Sequence, residues 1–257
     1  MTLDAWFLIL DSYFLALDTL FMDFYFGKPT DNFIILDDDE SNHLINVKRI
    51  RAGEIVHVTD GEGNNYIAEF FSIEKKKCRL RILETNATDK NSFHLHIALA
   101  PTKNIERMEW FLEKAVETGV DEISFLKCRH SERKEIRIER LHRIAVSAMK
   151  QSLKSFLPKI NPIIDFNKFV SGKLNDIKLI CTMPSGENIG LNKNYLPGNN
   201  LIALIGPEGD FHVDEINFAM QHGFKPTSLG ASRLRTETAA LNVCTLFNFI
   251  NNEKSGK

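Results

Sequence analysis

Residues 201–211 read LIALIGPEGDF, and residues 228–242 read SLGASRLRTETAALN. Each stretch is a short apolar run, then a turn rich in glycine or proline, then a pattern of helical period. A strand that ends in such a turn and feeds a helix is the repeating unit of an α/β domain with a mostly parallel sheet. In such sheets ligands sit beyond the carboxyl ends of the strands, where both turns lie. The same grammar extends outward. FHLHIALA (93–100) reads as a strand, and NIERMEWFLEKAVETG (104–119) as a helix. That helix carries Ile105, Met108, Phe111, Leu112, Ala115 and Val116 on one face, with Gly119 closing it. DEISFL (121–126), DIKLICTM (176–183), NLIALIG (200–206) and PTSLG (226–230) are further strands. RIERLHRIAVSAMKQSL (137–153) and DEINFAMQHG (214–223) are further helices.

Before residue 85 the pattern is different. NFIIL (32–36), EIVHVTDGEGNNYIAEFFSIE (54–74) and KCRLRIL (77–83) alternate or cluster apolar and β-branched residues, with Gly61 to Asn65 as a hairpin turn. The chain therefore divides into a β-rich domain over 22–84, a polar linker TNATDKNS over 85–92, and an α/β domain over 93–252. Lys48, Arg49 and Arg51 form one basic group, and Lys75, Lys76, Lys77, Arg79 and Arg81 a second. Basic residues on a small β domain suit a phosphate backbone, or equally a solvated edge that discourages aggregation.

Composition narrows the classes. The 257 residues, 43% hydrophobic and 26% charged with a formal charge of −2, are those of an ordinary globular chain. Cys78, Cys128, Cys181 and Cys244 have no metal-ligand spacing and read as buried thiols of a reducing, cytoplasmic compartment. The eight histidines form no metal motif; His94 and His96 merely share a strand face. Residues 1–21 are apolar without Lys or Arg, and interrupted by Asp4, Asp11 and Asp18, which fits neither a signal peptide nor a membrane span. They read as a dispensable leader, and removing the three aspartates changes the formal charge from −2 to +1.

The turns also restrict the ligand. Neither G-x-G-x-x-G at a strand–helix turn nor a P-loop is present. GPEGD carries Glu208 and Asp210, the wrong sign to cradle phosphates. Gly206 before Pro207 favours extended backbone, while Gly209 permits positive φ. Such a stiff loop offers backbone groups to something flat. A nucleoside without phosphates and with a cationic group suits it, and S-adenosylmethionine is such a molecule; two tight turns without a ligand remain the other reading.

The two signature stretches closely resemble those of the RsmE family, N3-uridine methyltransferases of 16S ribosomal RNA in the SPOUT superfamily. HLINVKRIRAGE (43–54) and VTDGEGNNY (58–66) look like that family's PUA-like barrel. IALAPTKNIERMEWFLEKAVETGVDEI (97–123), HSER (130–133) and SAMKQSLKSFLPKI (147–160) are similar to its catalytic domain. The chain departs from the family at Asp210, where a second glycine is usual, and at Thr118, where leucine is usual. Aspartate tolerates left-handed backbone, so the loop is expected to survive.

The resemblance implies a SPOUT-type parallel sheet with a C-terminal trefoil knot, a PUA-like β-barrel before it, and a homodimer. It implies S-adenosylmethionine held by Leu204, Ile205, Gly206, Pro207, Glu208 and Gly209, and by Ser228, Leu229, Gly230, Leu234, Arg235 and Thr236. Thr182, Met183 and Pro184 are expected to contribute from a preceding loop. The implied substrate is a uridine of 16S ribosomal RNA in the 30S subunit, with no metal and no membrane. Methylating uracil N3 requires loss of its proton, placement, and stabilisation of charge on the uracil oxygens. Arg233 and Arg235 are the candidates for stabilisation, and Glu237 or Glu208 for accepting the proton. Lys48, Arg49, Arg51, Arg129 and Arg133 are the RNA-binding candidates. A SPOUT enzyme for another RNA site, or an inactive RNA-binding relative, are the rival readings. The final helix supports a dimer independently. Asn242, Thr245, Asn248 and Asn251 form one narrow polar stripe, and apolar residues from Ala239 to Ile250 cover most of the rest.

Overall fold

The computed structural model describes residues 23–173, 176–183 and 189–255. Residues 1–21 and Pro184, both addressed above, lie outside the described residues. The chain forms two compact units that divide between Asp89 and Lys90.

The N-terminal unit is a six-stranded sheet in the order β1-β4-β5-β6-β3-β2. Its strands are β1 (Phe24–Phe26), β2 (Pro29–Thr30), β3 (Phe33–Ile35), β4 (Ile55–Thr59), β5 (Asn64–Glu74) and β6 (Lys77–Ala87). β1 runs parallel to β4; the other pairings are antiparallel. Between β3 and β4 lie a short helix α1 (Asp38–Asn42) and a π turn, His43–Val47. Alternation along the strands sends Ile34, Val56, Val58, Tyr66, Ala68, Phe70, Cys78 and Leu80 into one core. The β4–β5 turn is tighter than its glycines alone suggest. Gly61 and Gly63 take positive φ, while buried Asp60 ties the turn together. Its Oδ1 accepts from the Glu62 and Asn64 amides at 2.7 and 3.1 Å, and its Oδ2 from Asn64 Nδ2 and the Tyr66 hydroxyl at 2.7 and 3.1 Å. Those bonds hold the carboxyl below its ordinary range against the opposing effect of burial.

The expected linker is partly strand. β6 continues to Ala87, with Thr85, Asn86 and Ala87 opposite Tyr66, Asn65 and Asn64. Backbone pairing needs no apolar side chain, so an exposed polar stretch still extends the hairpin.

The C-terminal unit is a seven-stranded sheet in the order β11-β13-β10-β12-β7-β8-β9, parallel at every described pairing. The strands are β7 (Leu95–Leu99), β8 (Glu122–Lys127), β9 (Lys159–Asp165), β10 (Ile177–Cys181), β11 (Ile189–Gly190), β12 (Leu201–Ile205) and β13 (Lys225–Ser228). The helices are α2 (Ile105–Thr118), α3 (Ile138–Gln151), α4 (Phe166–Val170), α5 (Leu191–Asn194), α6 (Val213–Gln221) and α7 (Thr236–Ser255). The central strands β7 and β12 are buried throughout, as their unbroken apolar runs require. Ala98, Ala100, Leu126, Ile180, Ile202 and Leu204 pack on α4 and α6 through Phe166, Phe169, Val170 and Ala219. Helix α2 packs on both α3 and α7, and α7 also lies on β7 and β12. Asn104 caps α2 by accepting from the Glu106 amide, and Gly119 at φ 110° ends it. Phe111 and Leu112 of α2 are fully buried, and truncating either to Ala would cost about 2–5 kcal/mol.

The polar stripe expected on α7 does not face water as a unit. Asn248 Nδ2 donates to the Gly119 carbonyl at 2.7 Å, and buried Asn251 bonds the Tyr195 hydroxyl and accepts from the Gly198 amide at 2.7 Å. These asparagines satisfy backbone at loop ends that the apolar core could not serve. The exposed positions described on this helix are Thr238, Thr245 of the stripe, Phe249 and Asn252.

Candidate functional site

The two signature stretches converge at the carboxyl edge of the parallel sheet. Beyond β12, residues 206–211 fold back on themselves. A Cβ on Gly206 would lie 3.1 Å from the Phe211 ring and amide, so any larger residue would have to push that return apart. Asp210 adopts φ 64°, the left-handed conformation expected of the residue that replaces a glycine. Beyond β13, Gly230 sits at φ 121°, and a Cβ there would meet no protein atom within 4 Å. The second loop then leads into α7. Thr236, 4% exposed at the first position of that helix, donates its hydroxyl to the Gly206 carbonyl at 2.9 Å. The two loops are thus joined directly.

Between them lies a cleft of about 210 Å³. Its walls include Thr182 and Met183 beyond β10, Ile205 at the end of β12 with Gly206, Pro207 and Glu208 beyond it, and Leu229, Gly230, Leu234 and Thr236 beyond β13. All of these were expected from the sequence. Leu204, Gly209, Ser228 and Arg235 do not line it. Leu204 points into the core, Gly209 approaches His130, and Ser228 bonds within its own turn to Gly230. Cys181, Asp210, Ser232 and Ala239 also line the cleft and were not anticipated. The Cys181 thiol is pushed up to about 12, by burial first and then by the Asp210 charge, so it serves as an apolar wall.

A second set of residues braces the loops, among them Arg233, which itself lines the cleft. The Lys103 amide donates to Glu208 Oε1 at 3.0 Å. Arg233 Nη2 donates to the Glu208 carbonyl at 3.4 Å, and His130 Nδ1 to the Asp210 carbonyl at 3.1 Å. Arg133 Nε donates to the Thr102 carbonyl at 3.1 Å and Nη2 to that of Lys103. Arg129 Nη1 contacts His212 Nδ1 at 3.0 Å and Asp214 Oδ2 at 3.1 Å. The guanidiniums of Arg129 and Arg133, expected at RNA, are therefore engaged within the protein. Sequence spacing could not show this, because the partners lie about 30 and 80 residues away.

Glu237 is also not where a cleft carboxylate would be. It is 6% exposed and absent from the cleft wall. Its Oε1 lies 3.8 Å from Arg107 Nε of α2, and its Oε2 has no hydrogen-bond partner. Arg235 is exposed and, among the described residues, makes no side-chain hydrogen bond or ion pair. Of the N-terminal candidates, Lys48 pairs with Asp23, whereas Arg49, at φ 55°, and Arg51 are exposed. Among the described residues no helix is long and apolar enough to cross a membrane, and no acidic, His or Cys cluster is placed to hold a metal ion.

Residues 89–248 match the family described as RNA methyltransferase domain, and residues 36–83 the one described as RNA methyltransferase PUA domain. A ribosomal RNA small subunit methyltransferase E of Mesomycoplasma hyopneumoniae is 31% identical over 228 residues, covering 86% of this chain and 96% of its own. This chain belongs to the ribosomal RNA small subunit methyltransferase E family. Solved structures agree with that assignment. A probable rRNA-methyltransferase from Porphyromonas gingivalis is 38% identical with a TM-score of 0.84, covering 91% of this chain and 100% of that one. A ribosomal RNA small subunit methyltransferase E from Neisseria gonorrhoeae, solved bound to S-adenosyl methionine, is 26% identical with a TM-score of 0.80. That match covers 90% of this chain and 98% of the other. The α/β domain with a parallel sheet and the preceding PUA domain are those of the family.

Proposed function

We propose that this protein methylates N3 of a uridine in 16S ribosomal RNA of the 30S subunit, using S-adenosylmethionine. The observation that carries the reading is the cleft between the two signature loops, joined by Thr236 and Gly206. Its residues suit the cofactor. Met183, Ile205, Leu229, Leu234 and Ala239 offer apolar surface to a flat base, and Glu208 and Asp210 offer negative charge to a sulfonium. At Gly230 no side chain separates the backbone from the cleft. S-adenosylmethionine, when bound, supplies an electrophilic methyl group; the protein supplies placement and charge.

Arg235 is the residue assigned to the uracil oxygens or to an adjacent phosphate. It stands immediately before α7, where a cation opposes the helix dipole, and no carboxylate among the described residues compensates it. Arg233 spans from its own loop to the Glu208 carbonyl, so it fixes the cleft and faces the same edge. Glu208 lines the cleft and is the carboxylate assigned to accept the N3 proton, directly or through water. Glu237, set against Arg107, is assigned to bracing α7 on α2.

The finer architecture belongs to the same proposal. β13 lies beyond β10, on the side away from β12, and a threaded C-terminal knot is the arrangement we infer for the loops that cross there. The N-terminal sheet, with irregular register along its long hairpin, is inferred to close as a barrel. Arg49 and Arg51 are assigned to RNA on that unit. A homodimer in the cytoplasm completes the reading, the partner covering the exposed part of α7 around Phe249.

The test is a comparison at Arg235. Arg235→Ala should leave S-adenosylmethionine affinity, by calorimetry, within a few-fold, and reduce single-turnover methyl transfer to 30S particles by roughly a hundred-fold or more. Arg235→Lys should recover little, because a point charge does not replace a planar donor pair. Equal losses in affinity and rate would assign Arg235 to the cofactor loop instead.

A further inference from the structure

We propose that the outer face of the N-terminal sheet is a stacking platform for single-stranded RNA, built by Phe71, Phe33 and Arg79. The proposal rests on the reading of the protein as an RNA methyltransferase and adds a second RNA contact outside the cofactor cleft.

β5, β6 and β3 are neighbours in that order. Ile34, Phe70, Cys78 and Leu80 take their inward positions in the core. The residues between them face outward: Phe33 and Ile35 on β3, Phe71 on β5, Arg79 and Arg81 on β6. The register of β5 against β6 shifts between Phe70 and Ser72, leaving Phe71 as the extra, outward residue. Phe71 and Ile35 are each 49% exposed. The rings of Phe33 and Phe71 lie 5.5 Å apart, tilted by 58°. The Arg79 guanidinium rests 3.9 Å from the Phe33 centroid and 5.9 Å from that of Phe71, and Arg81 is also 5.9 Å from Phe71. A guanidinium lying on one ring keeps its other plane for a second flat group.

A sheet face with this much exposed apolar surface marks a binding site rather than a solvated edge. The charges decide the occupant. Lys77, Arg79 and Arg81 pair with Asp38, Glu74 and Glu69 in exposed contacts, and exposed Lys75 and Lys76 form the adjoining turn. Five cations therefore meet three carboxylates. Exposed pairs of this kind are worth little, so phosphates can replace the carboxylates at small cost. A protein partner would have to strip Lys75, Lys76 and Lys77 of water, and lysine is depleted at protein interfaces. RNA supplies a phosphate to the cations and a base to the rings. Bases within a duplex present no free faces, so the platform selects single strands.

The experiment measures binding of the full chain to a fluorescein-labelled, unstructured twelve-nucleotide RNA, and to the same sequence as a duplex. The single strand should bind more tightly. Phe71→Ala should weaken it roughly ten-fold or more, the scale of losing one stacked base, while Phe71→Tyr restores it. Replacing Arg79 and Arg81 by Gln should weaken binding and flatten its salt dependence. Unchanged affinity in Phe71→Ala, preference for the duplex, or loss of self-association by light scattering in Phe71→Ala would each overturn the platform, the last assigning the face to a second copy. Methyl transfer by the unmodified protein is measured in parallel. Its failure would remove the enzymatic reading, whereas transfer with a silent Phe71 removes only the platform.

Discussion

The hydroxyl of Thr236 is the smallest group whose removal should unfasten the cleft. Thr236→Val keeps the side chain's size and β-branching but deletes the donor to the Gly206 carbonyl. That bond is 2.9 Å long, and Thr236 is 4% exposed with Gly206 also buried, so water does not readily replace it. Losing one partner of a buried pair costs about 1–3 kcal/mol. At about 2–4 °C per kcal/mol for a unit of this size, the melting temperature should fall by roughly 2–12 °C. Thr236→Ser keeps the donor and loses one methyl group, about 1 kcal/mol. Because the bond joins the two loops that wall the cleft, Thr236→Val should also weaken S-adenosylmethionine by at least about five-fold, taking the lower end of that range. Circular dichroism melts and calorimetry on the three proteins supply both numbers. Thr236→Val with stability within about 0.5 kcal/mol of the parent, and with unchanged affinity, would refute the idea that this bond assembles the site.

Gly230→Val should abolish cofactor binding, because the added side chain enters open cleft space; it should also destabilise by about 1–3 kcal/mol through strain at φ 121°, so calorimetry must be run well below the melting temperature. Tight binding by the variant would remove Gly230 from the site. Stability should depend on pH through His96, whose imidazole is lowered from 6.5 to about 4, chiefly by burial. Between those values the unfolded chain binds a proton that the folded chain does not, so stability is full above about pH 6.5 and falls on acidification toward pH 4, by on the order of 3 kcal/mol. His96→Gln should flatten that slope, and an unchanged profile would contradict the assignment. Light scattering at micromolar concentration should report a dimer; a monomer would leave the exposed part of α7 without the proposed cover.

The parallel sheet was legible because its strands are short apolar runs closed by turn residues, and α2 because its apolar period and Gly119 agree. β9 and α4 were not anticipated. Lys159–Asp165 contains Pro162 and lies at the sheet edge, where a register shift accommodates one extra residue; such a strand lacks the apolar run of a central one. The cleft loops were legible for a similar reason, since Gly206 marks a turn that a side chain would crowd and Gly230 a positive φ. What spacing could not show is where charged side chains turn. Arg129, which stays exposed, and Arg133 and Glu237, which do not, all take partners from distant segments, His212, Thr102 and Arg107. Nor could spacing show that Asn248 and Asn251 of the α7 stripe serve the buried ends of other loops.

The central claim is methyl transfer to the small-subunit RNA, and its most direct measurement uses S-adenosylmethionine labelled in the methyl group. The purified protein is incubated with unmethylated 30S particles and, separately, with naked 16S RNA, and the RNA is digested to nucleosides for mass spectrometry. Label should appear in a single nucleoside, N3-methyluridine, and be lost with Arg235→Ala. Label in another base or in a ribose would contradict the assigned chemistry, and no label in either RNA, with cofactor binding intact, would contradict the claim itself.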